Sequence, residues 1–445
     1  MAEVNRLTSE SNGVAPTGRA VPGRPRPPSL VGRTGLLQWG GIVAEEFLPQ
    51  LQGERALKTY REMSQNDPII GASLLAISLL VRQVEWSVMP CVEDDPTADA
   101  YATWVQEALF TDVLGGWDHL LQEVLSMLWA GWSFHEVLYK RRLGFTADAW
   151  LRSRFRDGQW GWHSFPIRAQ ETLDHWLIDQ ATGQIMGMVQ RDPVSGGLFE
   201  VPMEKAALFR PGAHKENPQG RSLLRNVYRP WYFSKRLEEL QGIGIERDLA
   251  GLPVLYLPGA LMEPTALPED QAMYSEYKKI VTNVRRGQQE GVVLPMEYDV
   301  HGNQLYKFEL LSSGGQRQID ITKVLEFYNK EKAIALLTDV LLLGHEKVGS
   351  FALADSKTTV LALAVGGLCG AIAEVFTEQI FPPLWALNGW PAEFLPHLQP
   401  GDVETVNLQE LGDFLTKYAQ AGLDVSDLEN EVRQRAGFPL RDDLL

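Results

Sequence analysis

Four short stretches of this 445-residue chain carry residue types able to do chemistry, and each lacks the partner that its chemistry requires. Ser275-Glu-Tyr-Lys278 has the spacing of a serine nucleophile beside a lysine base, but no Ser-Asp-Asn or Lys-Thr-Gly element follows to complete such a site. His345-Glu346 starts like the helical zinc motif His-Glu-x-x-His, yet Gly349 stands where the second histidine must be. Lys357-Thr358 resembles the end of a phosphate loop, but Ser356 replaces the glycine before the lysine and no strand-turn-helix context surrounds it. Asp94, Asp95 and Asp99 have the chemistry of a nuclease metal cluster and read instead as a solvated loop. The 8 histidines are scattered singly, and His119 and His135 read as structural. No catalytic, metal or cofactor site is expected, because no acid-base pair can be assigned from spacing.

One basic constellation remains. Arg221, Arg225 and Arg229 fall four apart, which lines them on one side of a helix opening at Arg221 or Ser222, with Pro230 kinking it or starting a new segment. Tyr228, Trp231, Tyr232 and Phe233 interleave with Lys235 and Arg236. Basic residues among aromatics are able to bind nucleic acid. The same pattern more often marks a subunit contact or a stacked structural arginine.

The formal charge of -16 favours solubility and disfavours nucleic acid wherever basic residues are not concentrated. Only Cys91 and Cys369 occur, far apart and without metal spacing, which suits a reducing cytosol. No secretory leader is visible at the start. Residues 1 to about 38 are rich in Gly, Pro and Arg (Arg6, Arg19, Arg24, Arg26, Arg33) and read as a solvated arm of opposite sign to the rest. A tether to an acidic neighbour or to DNA phosphates is the sharper reading of that arm.

The elements that must position these residues follow from periodicity. Helix runs from about Gly53; Asp67-Pro68 then caps and restarts a helix whose apolar residues run from Ile69 to Val84. A strand at Trp86–Met89 precedes helices at Tyr101–Phe110 and Trp117–Trp129. Ser133–Lys140, Gly161–Arg168 and Glu171–Ile178 read as strands, the last turning through Ala181-Thr182-Gly183 into Gln184–Gln190 as a hairpin. Leu252–Leu257, Glu269–Arg286 and Gly291–Pro295 read as a β-α-β insert, followed by a strand at Gln304–Leu311 and a polar loop at Ser312–Gln318. A long helix starts at about Asp320. Glu331 to Gly389 forms two apolar helices joined by a turn at Gly344–Gly349 and stopped at Leu387-Asn388-Gly389. That stretch carries more apolar surface than two surface helices of a monomer need, so something must cover it. Val360–Ala373 is its longest uncharged run, and fourteen residues fall short of the roughly 20 that a membrane span takes. Glu404–Leu445 reads as mostly helical.

The order of four segments resembles the portal proteins of tailed bacteriophages, most closely the Mu-like branch. They are NDPIIGASLLAISLLVRQVEWSV (Asn66–Val88), GWSFHEVLYKRR (Gly131–Arg142), Pro218–Pro258 around RNVYRPWYFSKRLEELQGIGIE, and Leu336–Gly389 around LALAVGGLCGAIAEVF. Within the last, Leu341–Gly349 departs from the common loop.

The resemblance implies an α+β chain of portal-type architecture, with an α/β wing, a helical stem, a small β-α-β clip and a helical crown. It divides the chain into a tail at 1–38, a wing-like α+β domain at 39–220, a stem helix at 221–250 and a clip-like insert at 251–300. A second stem region at 301–348 would hold the tunnel loop 312–318, and 349–445 would form a C-terminal helical wing and crown. It implies no enzyme and no cofactor, but a homo-oligomeric ring, usually of twelve copies, at one capsid vertex. Double-stranded DNA would pass through it non-specifically during packaging and ejection. Terminase large subunit, major capsid protein and neck or head-completion proteins are the implied partners, with no membrane. The location is the virion, and the host bacterial cytoplasm during assembly. Ser312, Ser313, Gly314, Gly315, Gln316, Arg317 and Gln318 would face DNA, and Arg225, Arg229, Lys235 and Arg236 are candidate stem contacts. A cytosolic α+β enzyme or scaffold without a motif is the alternative, marked by a ligand-sized pocket in a monomer or dimer. A membrane-associated protein using Val360–Ala373 is a third.

Overall fold

The computed structural model describes residues 34–403, apart from 147, 180–181, 251, 284–297, 299–300, 303, 312–320, 341 and 343–350. The Ser312–Gln318 loop, the Gly344–Gly349 turn, the strand expected at Gly291–Pro295 and the helices expected in Glu404–Leu445 lie outside the described residues.

A short hairpin, β1 (Gln38–Trp39) and β2 (Ile42–Val43), opens the fold. Helices α1 (Gly53–Asn66) and α2 (Pro68–Gln83) follow. Asp67 separates them as the sequence indicates: its side chain accepts from the Ile69 and Ile70 amides at 3.0 and 3.1 Å, while Pro68 has no N–H to lose in the first turn. After β3 (Trp86–Met89) the same device recurs, with Asp95 capping α3 (Pro96–Phe110). Asp95 and Asp99 therefore belong to a helix start and its first turn, where carboxylates offset the helix dipole, and only Asp94 stays in the loop. The single helix expected over Trp117–Trp129 is two, α4 (Trp117–Val124) and α5 (Met127–Ala130).

The strand expected at Ser133–Lys140 also divides. β4 (Ser133–Glu136) pairs with β11 (Ala206–Phe209) and β7 (Ile167–Arg168), whereas β5 (Leu138–Arg141) pairs with β6 (Trp160–Ser164). Val137 turns inward between them and sends its amide to the Lys205 carbonyl, and Pro166 cannot continue the ladder on the partner side. β8 (Leu173–Ile178), β9 (Ile185–Arg191) and β10 (Leu198–Pro202) form an antiparallel meander, so the hairpin at Gly183 stands.

Helix α6 (Tyr228–Ala250) leads into β12 (Leu252–Tyr256), α7 (Pro268–Asn283) and β13 (Lys307–Leu311), with β12 and β13 antiparallel to each other. The insert is thus closed by the strand read at Gln304–Leu311. Helix α8 (Ile321–Ala335) packs back along α6, and α9 (Phe351–Val375) runs through a π-helical turn, Phe376–Ile380, into α10 (Phe381–Asn388). Pro382 and Pro383 supply no amides to the preceding turn, which lets it widen. The widened turn points Gln379 at the Leu208 amide of β11 and Thr377 at the Leu398 amide of β14 (His397–Pro400). Gly389, at φ 66°, ends the helix in the left-handed region, which glycine enters at no steric cost.

The main core is built around α9. Leu361, Val365, Cys369, Ile372 and Phe376 meet Trp86, Val105, Leu109, Trp162 and Phe209 in one buried cluster. Lys357–Asn388 is long and apolar enough to cross a membrane by composition alone. In this fold its inner face is the axis that the surrounding elements bury.

Candidate assembly and conduit surface

Three regions of the structure bear on function: the root where α6 and α8 meet the body, the apolar faces that the fold leaves uncovered, and a cavity beneath the N-terminal hairpin.

The root is held by a buried ion pair. Lys332 of α8 is 1% exposed and donates to Asp67 Oδ2 at 2.5 Å, and its Nζ also lies 3.4 Å from Ser234 Oγ of α6. One carboxylate therefore caps α2 through its first oxygen and anchors α8 through its second. Ser73 Oγ and Thr338 Oγ1, 2.6 Å apart, make a second link between α2 and the segment after α8. Desolvation makes such a pair costly to form and costlier to break, so it fixes where the helix pair leaves the body. Farther along, Phe233 and Tyr328 stack at 6.1 Å, while Phe327, Leu240 and Ile243 face outward.

The arginine stripe expected from spacing does not form. Ser222 caps a single 3-10 turn at Leu223–Arg225, and α6 begins anew at Tyr228 with Pro230 in its first turn, so Arg221, Arg225 and Arg229 do not share one helix. Arg225 grips Glu46 with two hydrogen bonds, at 2.5 and 2.9 Å, and lies over Phe47. Burial opposes ionisation of Glu46, but those bonds hold its carboxyl below the usual range and raise Arg225 in turn. Arg225 is a stacked structural arginine, one of the two bland readings that its sequence context allowed. Lys235 pairs with Glu62 and Arg236 with Glu239, whereas Arg229 is exposed at the start of α6.

Two packed helices each carry a stripe of uncovered apolar surface. On α2, Ala72, Leu75 and Leu79 form a stripe at helical spacing, with Leu75 59% exposed. On α9, Val360, Leu363, Gly367 and Gly370 do the same, with Leu363 72% exposed. Each helix buries its opposite face in the core, so both are apolar on two sides. An exposed apolar face of this kind marks an interaction surface.

The cavity, about 630 Å³, lies between the first hairpin and β8 and is lined by Glu46, Tyr60, Trp132, His175, Trp176 and Arg225 among others. Three of its carboxylates are already paired. Glu46 holds Arg225, Glu45 holds Lys215 at 3.0 Å, and Asp174 takes His175 and Arg191. Among the described residues, no group of three or more His, Cys, Asp or Glu is placed to hold a metal ion.

The family model for the portal protein of Mu bacteriophage matches residues 57–438. This chain belongs to that family. It is a portal protein, a component of a capsid vertex, and the family is structural in character. Its fold resembles a chain in the virion of a native gene transfer agent (GTA) particle, with a TM-score of 0.51 at 12% identity, covering 86% of this chain and 94% of the other. An HK97-family phage portal protein from Corynebacterium diphtheriae matches with a TM-score of 0.42 at 14% identity, covering 76% and 94%. Within a portal protein, the locked α6–α8 root and the two-sided apolar helices are features that no local sequence motif encodes. The first joins residues 265 apart in sequence. The second was visible as an excess of apolar residues, without the faces they occupy.

Proposed function

We propose that copies of this portal protein close into a ring, usually twelve in this family, whose central channel passes double-stranded DNA into the capsid and out again. The observation that carries this reading is the pair of uncovered apolar stripes on α2 and α9, which a neighbouring copy would bury. Closed rings need no second kind of subunit to cover such faces.

The α+β body at 39–220 would be the wing against the capsid shell, with α6 and α8 as the stem. The β12–α7–β13 insert would be the clip that meets terminase large subunit and later the neck proteins. The Ser312–Gln318 loop would face DNA, with Arg317, Gln316 and Gln318 in contact, and 349–445 would complete the wing and crown. Each phosphate contact adds a salt-sensitive binding term that slows passage. A subunit charge of -16, repeated around a ring, keeps the wall repulsive and limits attachment to that loop. Particle assembly in the host cytoplasm and residence in the virion follow from this role.

Packaging in cells complemented with a Gln316→Ala/Arg317→Ala/Gln318→Ala variant tests the loop assignment. Reduced packaging or premature genome loss supports it. Full genome retention at normal titre removes the loop from contact with DNA.

A further inference from the structure

The connection between β5 and β6 is built unlike an ordinary surface loop. Leu143, Phe145, Trp150 and Leu151 all face solvent, Phe145 at 84% and Trp150 at 59% exposure. Arg152, Arg154 and Arg156 are exposed beside them, and Arg141 enters the loop. In a chain of charge -16 this is a local reversal of sign, combined with large apolar side chains turned outward.

Beneath the loop is a buried clamp. Lys140 donates to the Asp112 and Arg152 carbonyls at 2.6 and 2.9 Å. The Asp112 carboxylate accepts from Ser153 Oγ at 2.7 Å and from the Arg154 amide at 2.9 Å. Arg142, fully buried, lies between the rings of Trp104 and Phe155 and pairs with Asp157 at 3.0 Å, while Trp104 Nε1 donates to the same Asp157 at 2.7 Å. Trp150 rests one face on His163 at 4.3 Å. These contacts fix the loop's conformation and hold Leu143, Phe145 and the outer face of Trp150 toward solvent. A rigid aromatic and arginine surface loses little conformational entropy on binding, the arrangement from which interface anchors are made.

A surface of opposite character lies at the other end of α3. Val92 is exposed, and Glu93, Asp94, Asp95 and Asp99 follow it around the helix start. The clamp contacts α3 through Trp104 and Glu107, toward its C-terminus, and through Asp112 just beyond it. At 1.5 Å per residue, the twelve steps from Asp95 to Glu107 span about 18 Å along α3, which sets the start of the acidic patch apart from the clamp. Two complementary patches, displaced on one subunit, are what a head-to-tail contact requires.

We propose that the β5–β6 loop of one copy docks on the acidic start of α3 in the next copy, forming an outer contact around the ring. This rests on the ring reading above. The occupant is a second copy of this chain because the complementary charge and the exposed apolar Val92 are both present on it. Duplex DNA, which also fits an arginine-bearing surface, offers no match for Phe145 and Trp150 when its bases are stacked.

Cys91 gives the contact a native reporter, being exposed beside Val92, whereas Cys369 is buried. An Arg154→Cys variant of the full chain, assembled and treated with a short bismaleimide, would carry one thiol at each patch. The expected product is a ladder of covalent multimers extending beyond the dimer, absent from the unmodified chain and from an Arg154→Cys/Cys91→Ser variant. In parallel, Arg154→Glu and Glu93→Arg should each weaken ring assembly by about fivefold per interface, and the double variant should recover it. Rings of the unmodified chain, with no ladder from the Arg154→Cys variant and with assembly indifferent to both charge changes, would overturn the contact and leave the ring reading standing. Failure of the unmodified chain to form rings would overturn both. Should Arg154→Glu leave assembly intact but abolish salt-sensitive binding of duplex DNA, the loop is a nucleic-acid surface and the proposal is wrong.

Discussion

Replacing Lys332 with Met removes the cation from a carboxylate that the fold keeps buried. Asp67 has 8% of its side chain exposed, so water cannot replace the lost donor without opening the root. Truncating one partner of a buried pair costs about 3–5 kcal/mol. Asp67 retains the Ile69 and Ile70 amides at 3.0 and 3.1 Å, which stabilise its charge, so the lower figure of about 3 kcal/mol applies. Set against the unfolding entropy of a 445-residue chain, that corresponds to a melting temperature lower by about 3 °C. Asparagine caps a helix as well as aspartate does, and Asp67→Asn in the Lys332→Met background removes the stranded charge while keeping the cap. The double variant should recover to within about 1 kcal/mol of the original chain. Thermal unfolding followed by far-ultraviolet circular dichroism, with tryptophan fluorescence as a second probe, reads both. A loss below about 1 kcal/mol in the single variant, or a double variant less stable than it, would refute the view that this pair anchors the helix root.

Three further outcomes follow. His135 is wholly buried between Ser133 Oγ and the Phe165 carbonyl, and burial depresses its pKa from 6.5 to about 4. The unfolded chain therefore takes up a proton below pH 6.5 that the folded chain refuses, so stability falls by about 3 kcal/mol between pH 6.5 and 4. Urea midpoints across that range should drop less steeply for His135→Gln, and an unchanged slope would contradict this reading. Burial pushes the Cys369 thiol up to about 11, so N-ethylmaleimide at neutral pH should label one thiol per folded chain, at Cys91, and two in denaturant. Two rapidly labelled thiols in the native protein would contradict the placement of α9 in the core. Gly41 adopts φ +83°, and a Cβ there would lie 2.0 Å from the Trp176 carbonyl oxygen. Gly41→Ala should therefore detach the first hairpin from β8, seen as faster proteolysis near residue 40 with the rest of the body protected.

Helix starts were legible in the sequence where a local signal was strong. Asp67-Pro68 was read correctly because cap and proline stand together ahead of a long apolar run. Asp95-Pro96 carries the same signal, but its acidic neighbours give the stretch the composition of a loop. Period-two patterning found Ser133–Lys140 as extended chain but gave no sign that Val137 divides it between two sheets. A four-residue spacing put Arg221, Arg225 and Arg229 on one helix, and the Ser222 cap with the restart at Tyr228 defeated it. The Lys332–Asp67 anchor and the Arg142 clamp were illegible, since both join elements far apart in sequence through side chains that look solvent-facing in isolation. The apolar excess of α9 was the clearest signal of all, and the family match stands beside it.

The most direct test of the central claim is electron microscopy of the purified full-length protein, with its mass measured in parallel by light scattering. Closed rings of roughly twelve copies around an open centre, at the matching mass, are the expected result. A compact dimer with a filled interior would bury the α2 and α9 faces without making a channel, and would contradict the account.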